Sequence, residues 1–252
     1  MTMKLSFDGG WHAMVTDDPL HITPRFDGDS VRVVRYADAK ERERFVLDTF
    51  GSQHRLWDAP DVFRFDPASR QLVAVELQLP EESASAEDAA RLPLTLAVRP
   101  GGLRAVEATD FRHEMCALLC RAPGDTVLTS LRDPAVLDAP LETGIGIAPD
   151  VALLVQHGTV VGWSLTDPAR YLTTAYTDPD PTPPTDTTRR LLTDCLDLIT
   201  QPLIYDVEDG DPTALARLRA TDEALRAQRE DRRRADVLLS LIGNLMEGYG
   251  NR

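Results

Sequence analysis

VALLVQHGTVVGWSL, residues 151–165, decides how the rest of the chain is read. Two short apolar runs, rich in valine, flank His157-Gly158, a pair that suits a turn because glycine enters positive φ without steric cost. The stretch therefore predicts a β-hairpin with His157 at its tip. The same layout recurs three times upstream. LHITPRF and SVRVVRY (20–26, 30–36) flank Asp27-Gly28, and DVFRF and QLVAVELQL (61–65, 71–79) flank Asp66-Pro67-Ala68-Ser69. MCALLCRA and TVLTSLR (115–122, 126–132) flank Pro123-Gly124-Asp125. Four hairpins in succession argue for an antiparallel sheet or sandwich rather than a wound parallel sheet. QLVAVELQLP (71–80) and TVVGWSLTDP (159–168) also align without gaps, as a duplicated β-unit would, or as two strands with one burial demand.

Helical signals are few before residue 176. AKERERFVLDTF (39–50) sets Phe45, Val46, Leu47 and Phe50 behind a charged first half, and EESASAEDAARL (81–92) is a weaker helix stopped by Pro93. YTDPDPTPPTDTT (176–188) then packs four prolines into its length. Proline fixes φ and removes a donor, so this segment predicts an extended, exposed connector. Beyond it the period turns helical. TTRRLLTDCLDLIT (187–200) aligns Leu191, Leu192, Cys195, Leu198 and Ile199, and Asp211-Pro212 opens a further helix as N-cap and first residue. ADVLLSLIGNLMEGY (235–249) carries a last apolar stripe. The fold class expected is α+β: an antiparallel β-rich body over 1–175 with one or two helices, a connector over 176–188, and a helical section over 189–252 packed on the first. The sparse apolar face of 213–229 and the Arg232-Arg233-Arg234 knot suggest solvated, projecting stretches there.

Composition narrows the class of function. At 42% hydrophobic and 27% charged, the 252-residue chain has the balance of a globular protein with a sizeable core. No apolar run approaches the ~18 residues that cross a bilayer, and the first residues lack a signal-peptide layout. Three cysteines (Cys116, Cys120, Cys195) then predict reduced thiols in a cytoplasm. The net charge of −14 opposes binding to nucleic acid or to an anionic membrane, and it suits a basic protein partner. Between Asp125 and Asp211, fifteen acidic residues face four arginines, a local net of −11. Two lysines against 25 arginines reflect a GC-rich genome rather than a function.

RHEMCALLC (112–120) is the one stretch that suggests a metal or thiol site. On a helix, His113, Cys116 and Cys120 would share a face and could ligate zinc. The turn at Pro123-Gly124-Asp125 favours a strand instead, with His113 opposite the two cysteines and the cysteines roughly 13 Å apart. The expectation is two small buried hydrophobes and no metal. His12, His21, His54 and His157 have no linear catalytic context, since G-x-S-x-G and P-loop motifs are absent. Gly144-Ile145-Gly146 lacks the third glycine of a dinucleotide fingerprint, so no cofactor is expected. DVEDGDP (206–212) breaks the EF-hand register, because Gly210 falls at position five and Arg217 at position twelve. Trp11 sits near a turn, Trp163 reads as core, and Trp57, in a polar connection, reads as an interface anchor.

In size, acidity, cytoplasmic character and want of a catalytic signature, the chain is similar to immunity proteins that neutralise bacterial toxins, a likeness of composition rather than of motif. The expected function is therefore stoichiometric binding of a basic protein. Asp178, Asp180, Asp206, Glu208, Asp209, Asp211 and Trp57 are the candidate contacts. The alternatives are a small-molecule enzyme without a linear motif and a structural subunit of a larger assembly.

Overall fold

Residues 151–165 form the hairpin that their turn residues demand. Val151–Gln156 and Thr159–Thr166 pair antiparallel, and His157 and Gly158 both take positive φ, 52° and 70°. Two positive values in succession match the twist of the flanking strands. The structure, a computed structural model, describes residues 3–52, 60–93 and 96–249. Its first half contains β1 (Lys4–Ser6), β2 (His12–Thr16), β3 (Arg25–Phe26), β4 (Ser30–Val33), α1 (Ala39–Leu47), β5 (Phe50–Gly51), β6 (Val62–Phe65), β7 (Leu72–Gln78) and α2 (Ala86–Ala89). Then come β8 (Val98–Pro100), β9 (Gly102–Ala105), β10 (Leu118–Arg121), β11 (Val127–Leu131), β12 (Thr143–Ala148), β13 (Val151–Gln156) and β14 (Thr159–Thr166). The chain ends in α3 (Asp186–Ile199), α4 (Leu203–Glu208), α5 (Pro212–Ala227) and α6 (Arg232–Gly248).

The class is α+β, with two mixed-size sheets and a helical C-terminal region. The larger sheet runs β8-β12-β13-β14-β1-β2-β9, with the β10–β11 hairpin attached to β14. Only Gly101 separates β8 from β9, and its N–H donates to Gly146 O at 3.1 Å. One extended segment thus starts beside β12 and ends beside β2, which brings the two ends of the strand order together. The smaller sheet runs β3-β4-β7-β6-β5, and all its pairs are antiparallel. All four expected hairpins form (β3–β4, β6–β7, β10–β11, β13–β14). Two parallel pairs, β1 with β14 and β8 with β12, depart from the antiparallel expectation. Each joins strands far apart in sequence, where no turn signals the pairing. The expected helix at 81–92 shrinks to the single turn α2, capped by Ser85.

Burial explains the alternation. On β13, Val151, Leu153 and Val155 enter the main core, whereas Leu154 joins Leu118, Cys120, Leu131, Val136 and Val161 in a second cluster on the other side. Trp163 is in the main core, and Trp11 stacks on Phe111 with centroids 3.9 Å apart. Leu191, Leu192, Cys195, Leu196 and Leu198 of α3, Leu215, Leu218 and Leu225 of α5, and Leu238 and Ile242 of α6 belong to that same core. At about 1.5–3 kcal/mol per buried leucine, this burial holds the helices on the sheets. Gly28, at φ 103° in the β3–β4 turn, meets α6 closely: a Cβ there would lie 2.4 Å from Leu241 Cδ2.

The proline-rich segment is non-helical from Tyr176 to Thr185. Helix α3 begins at Asp186, inside the expected connector, because Thr185 Oγ1 accepts the Thr188 N–H (3.1 Å) and caps it. The projecting helices expected from the arginine knot are not found. Arg234 is 1% exposed, and its guanidinium donates to Asp231 and to the carbonyls of Asp180 (2.8 Å) and Thr182 (2.7 Å). It pins the connector to α6.

Candidate functional site

RHEMCALLC does not lie on one strand. β10 starts at Leu118, so His113 and Cys116 sit in irregular chain before it. The expected geometry, with both cysteines on one face and His113 opposite, is therefore corrected. Cys116 packs in the main core and Cys120 in the second cluster, and Cys116 turns toward a buried carboxyl, Asp61, while His113 turns toward Asp8. Cys116 Sγ lies 3.7 Å from Asp61 Oδ2. His113 Nδ1 lies 2.7 Å from Asp8 Oδ2, and Arg132 reaches Asp8 Oδ1 at 3.1 Å. The His113 ring meets Phe7 and Phe63 edge-on. Burial resists the charge on Asp8, but the hydrogen bond and charge of His113, with the Glu114 N–H and Arg132, hold its carboxyl below the usual range.

The thiols are not built as nucleophiles. Burial, reinforced by the Asp61 charge, pushes Cys116 well up, burial and Asp88 push Cys120 up to about 11, and burial and Asp194 raise Cys195. A reactive cysteine needs the opposite shift. Among the described residues, no three His, Cys, Asp or Glu side chains are grouped to hold a metal ion.

A cleft of about 680 Å³ lies between the β3–β4 turn, residues 172–180 and α6. Asp27, Asp29, Asp178, Asp180 and Asp236 line it, over a floor that includes Leu172, Val237 and Leu241. Four of these aspartates already have arginine partners: Asp27 with Arg32, Asp178 with Arg25 (2.9 Å), Asp180 with Arg233 (3.5 Å) and Asp236 with Arg232. The Asp178 side chain is 81% exposed and that of Arg25 7%, so the carboxylate neutralises a guanidinium largely withdrawn from water. Asp180 also accepts the Thr182 N–H (2.9 Å), which lowers its pKa. These two candidates fasten the connector.

The other candidates lie at the opposite end of α3, whose 14 residues span about 21 Å. Asp206, Glu208, Asp209 and Asp211 are all exposed at the α4–α5 corner. Asp211 Oδ1 accepts the N–H groups of Thr213 and Ala214, both at 2.9 Å, as an N-cap should. Among the described residues, Asp206, Glu208 and Asp209 make no side-chain ion pair. Beside them Tyr205 is 50% exposed, its hydroxyl accepting from Gln201 Nε2 at 2.8 Å. The sequence reading missed Tyr205 because α4, at six residues, is too short to show a period.

Elsewhere the acidic excess of 125–211 is drawn down by arginines from outside that segment. Arg121 binds Asp125 and Asp197, Arg91 binds Asp138, and Arg217 reaches Asp194 and Asp197. Of the carboxylates in this segment that meet no arginine among the described residues, Asp206, Glu208, Asp209 and Asp211 lie together at the α4–α5 corner, whereas Asp133, Glu142 and Asp186 stand apart from one another. Trp57 lies outside the described residues. No helix among the described residues is long and apolar enough to cross a membrane. No family model, no curated protein and no solved structure matches the chain, so the functional reading rests on this geometry.

Proposed function

We propose that this protein works by stoichiometric binding of a basic protein, with the α4–α5 corner as its contact. The observation that carries this reading is the group of exposed carboxylates on Asp206, Glu208 and Asp209, without an ion pair among the described residues, beside the half-exposed ring of Tyr205. Tyrosine supplies a rigid, amphipathic anchor, and the surrounding charge steers a cationic surface toward it. An arginine or lysine of the partner has both a ring face and carboxylates to meet there. Inhibition of a basic toxin, as an immunity protein performs it, is the specific form of binding this surface suits. The three unpaired, buried thiols fit a reducing, cytoplasmic setting.

The aspartate-lined cleft is the feature that favours an enzyme. It has no histidine, cysteine or lysine in its lining, and most of its carboxylates serve ion pairs within the chain. Binding therefore accounts for more of the structure. The test is titration calorimetry of the purified protein with the product of the neighbouring gene. A 1:1 complex weakened about tenfold by Tyr205→Ala supports the reading. A complex indifferent to Tyr205→Ala removes this corner from it, and turnover of a small molecule replaces it.

A further inference from the structure

Aspartate precedes glycine three times in the chain, at Asp8-Gly9, Asp27-Gly28 and Asp209-Gly210. At such a pair the glycine's backbone nitrogen is not shielded by a Cβ, and it can attack the carboxyl carbon of the aspartate before it. The fold holds the three pairs differently. Asp8 Oδ2 meets His113 Nδ1 at 2.7 Å and the Glu114 N–H at 3.2 Å, and Arg132 holds Oδ1. Asp27 Oδ1 accepts the N–H and the hydroxyl of Ser30, both at 3.0 Å, and Oδ2 meets Arg32. Helix α6 also packs on Gly28 through Leu241. Both side chains are largely buried, at 20% and 21% exposure. Asp209 is exposed, and its carboxyl has no hydrogen bond or ion pair among the described residues. Nothing lies within 4 Å of where a Cβ would stand on Gly210.

We propose that Asp209-Gly210 is a self-modification site, at which the folded protein converts aspartate to isoaspartate while the fold protects Asp8 and Asp27. In the first step the Gly210 nitrogen attacks Cγ of the neutral carboxylic acid. The nitrogen gives up its proton, the carboxyl oxygen leaves as water, and a five-membered succinimide closes. Water then adds to one of its two carbonyls. Cleavage of the bond from nitrogen to Cγ restores aspartate, whereas cleavage of the bond to the main-chain carbonyl carbon leaves isoaspartate. One water is lost and one gained, so no other reactant is needed. The backbone sets the barrier. Asp209 ends α4 in helical conformation (φ −73°, ψ −8°), and the Gly210 and Asp211 N–H groups donate to Val207 O (3.1 Å) and Asp206 O (2.8 Å). The nitrogen reaches Cγ only when ψ rotates and these bonds open, which is a fraying of the last turn of a six-residue helix. At Asp8 and Asp27 the partners of the carboxyl must let go as well. The product runs the main chain through Cβ and Cγ, one atom longer, and moves a carboxylate within the α4–α5 corner. On the reading of that corner as the contact surface, ageing would weaken the complex; the isomerisation itself is measured on the free protein, so the two claims fail separately.

The test ages the wild-type protein at pH 6 and 37 °C, once native and once unfolded in guanidinium chloride. Tryptic peptides carrying each of the three pairs are then analysed by electron-transfer fragmentation, which distinguishes isoaspartate by its extra backbone carbon. Dividing the native rate by the unfolded rate at each site cancels the reactivity of the local sequence and leaves the effect of the fold. That ratio should be higher at Asp209 than at Asp8 and Asp27 by about tenfold or more, because a frayed helix end opens far more often than a paired turn of the sheets. A ratio at Asp209 no higher than at either other site overturns the proposal. So does an unfolded chain that forms no isoaspartate at Asp209, since the pair itself is then unreactive.

Discussion

Gly162→Ala tests the join between β11 and β14, which attaches the β10–β11 hairpin to the larger sheet. Gly162 pairs with Leu131, and a Cβ added to it would lie 2.1 Å from Ser130 O and 3.1 Å from Leu131 Cα. Both are backbone atoms, so no side-chain rotation relieves the clash. Carbon–oxygen contacts settle at about 3.3 Å or beyond, which requires the strands to part by about 1 Å. Overpacking of this kind costs about 1–3 kcal/mol, and two weakened ladder hydrogen bonds add about 1 kcal/mol each. The sum, about 3–5 kcal/mol, is a large share of the 5–15 kcal/mol typical of a folded domain. Urea unfolding followed by tryptophan fluorescence should show a lower midpoint at an unchanged slope. Gly243→Ala is the control, since it is the same chemical change inside α6 with nothing within 4 Å of the new methyl. It should stabilise by about 0.5–1 kcal/mol through helix propensity. A cost below about 1 kcal/mol for Gly162→Ala would mean that β11 does not lie against β14 as described.

Three further outcomes follow from other parts of the structure. Arg234→Ala should cost about 3 kcal/mol in urea unfolding and expose the 176–185 segment to limited proteolysis, because Asp231 and two carbonyls lose a buried donor. Asp211→Ala should cost about 1 kcal/mol by uncapping α5, whereas Asp211→Asn should cost little, since asparagine caps as well. At pH 8 the native protein should react with a thiol reagent far more slowly than the urea-unfolded chain at all three cysteines, each of which is buried with a raised pKa; fast labelling of native Cys120 would contradict its place in the second cluster.

The parts of the fold that were legible in the sequence are those encoded by neighbours. Asp27-Gly28 and His157-Gly158 mark their hairpins because turn geometry is a local demand, and Asp211-Pro212 marks the start of α5 for the same reason. The pairing of Ser6 with Thr159 left no such mark, because a three-residue strand has no period and its partner lies more than 150 residues away. Arg234 was misread as solvated because charge shows its usual exposure and not the carbonyls that wait for it. The six candidate carboxylates on described residues illustrate the same limit. Composition singled them out together, but only the fold separates Asp178 and Asp180, engaged with arginines, from Asp206, Glu208 and Asp209, which are exposed and meet no ion-pair partner among the described residues. Asp61 was passed over entirely, since its environment is assembled from β7 and the chain before β10.

The central claim is that the α4–α5 corner recruits a basic partner through its charge. The most direct measurement is the association rate with the neighbouring gene's product, taken across a salt series, for the wild type and for a variant carrying Asp206→Asn, Glu208→Gln, Asp209→Asn and Asp211→Asn. Steered association exceeds the unsteered 10⁵–10⁶ M⁻¹s⁻¹ by about tenfold or more at low salt, and the excess fades once the screening length falls below about 10 Å. The account predicts a wild-type rate that drops with salt, a variant rate that is slow and nearly independent of salt, and dissociation rates that change little. An association rate indifferent to both the salt and the four substitutions would contradict it.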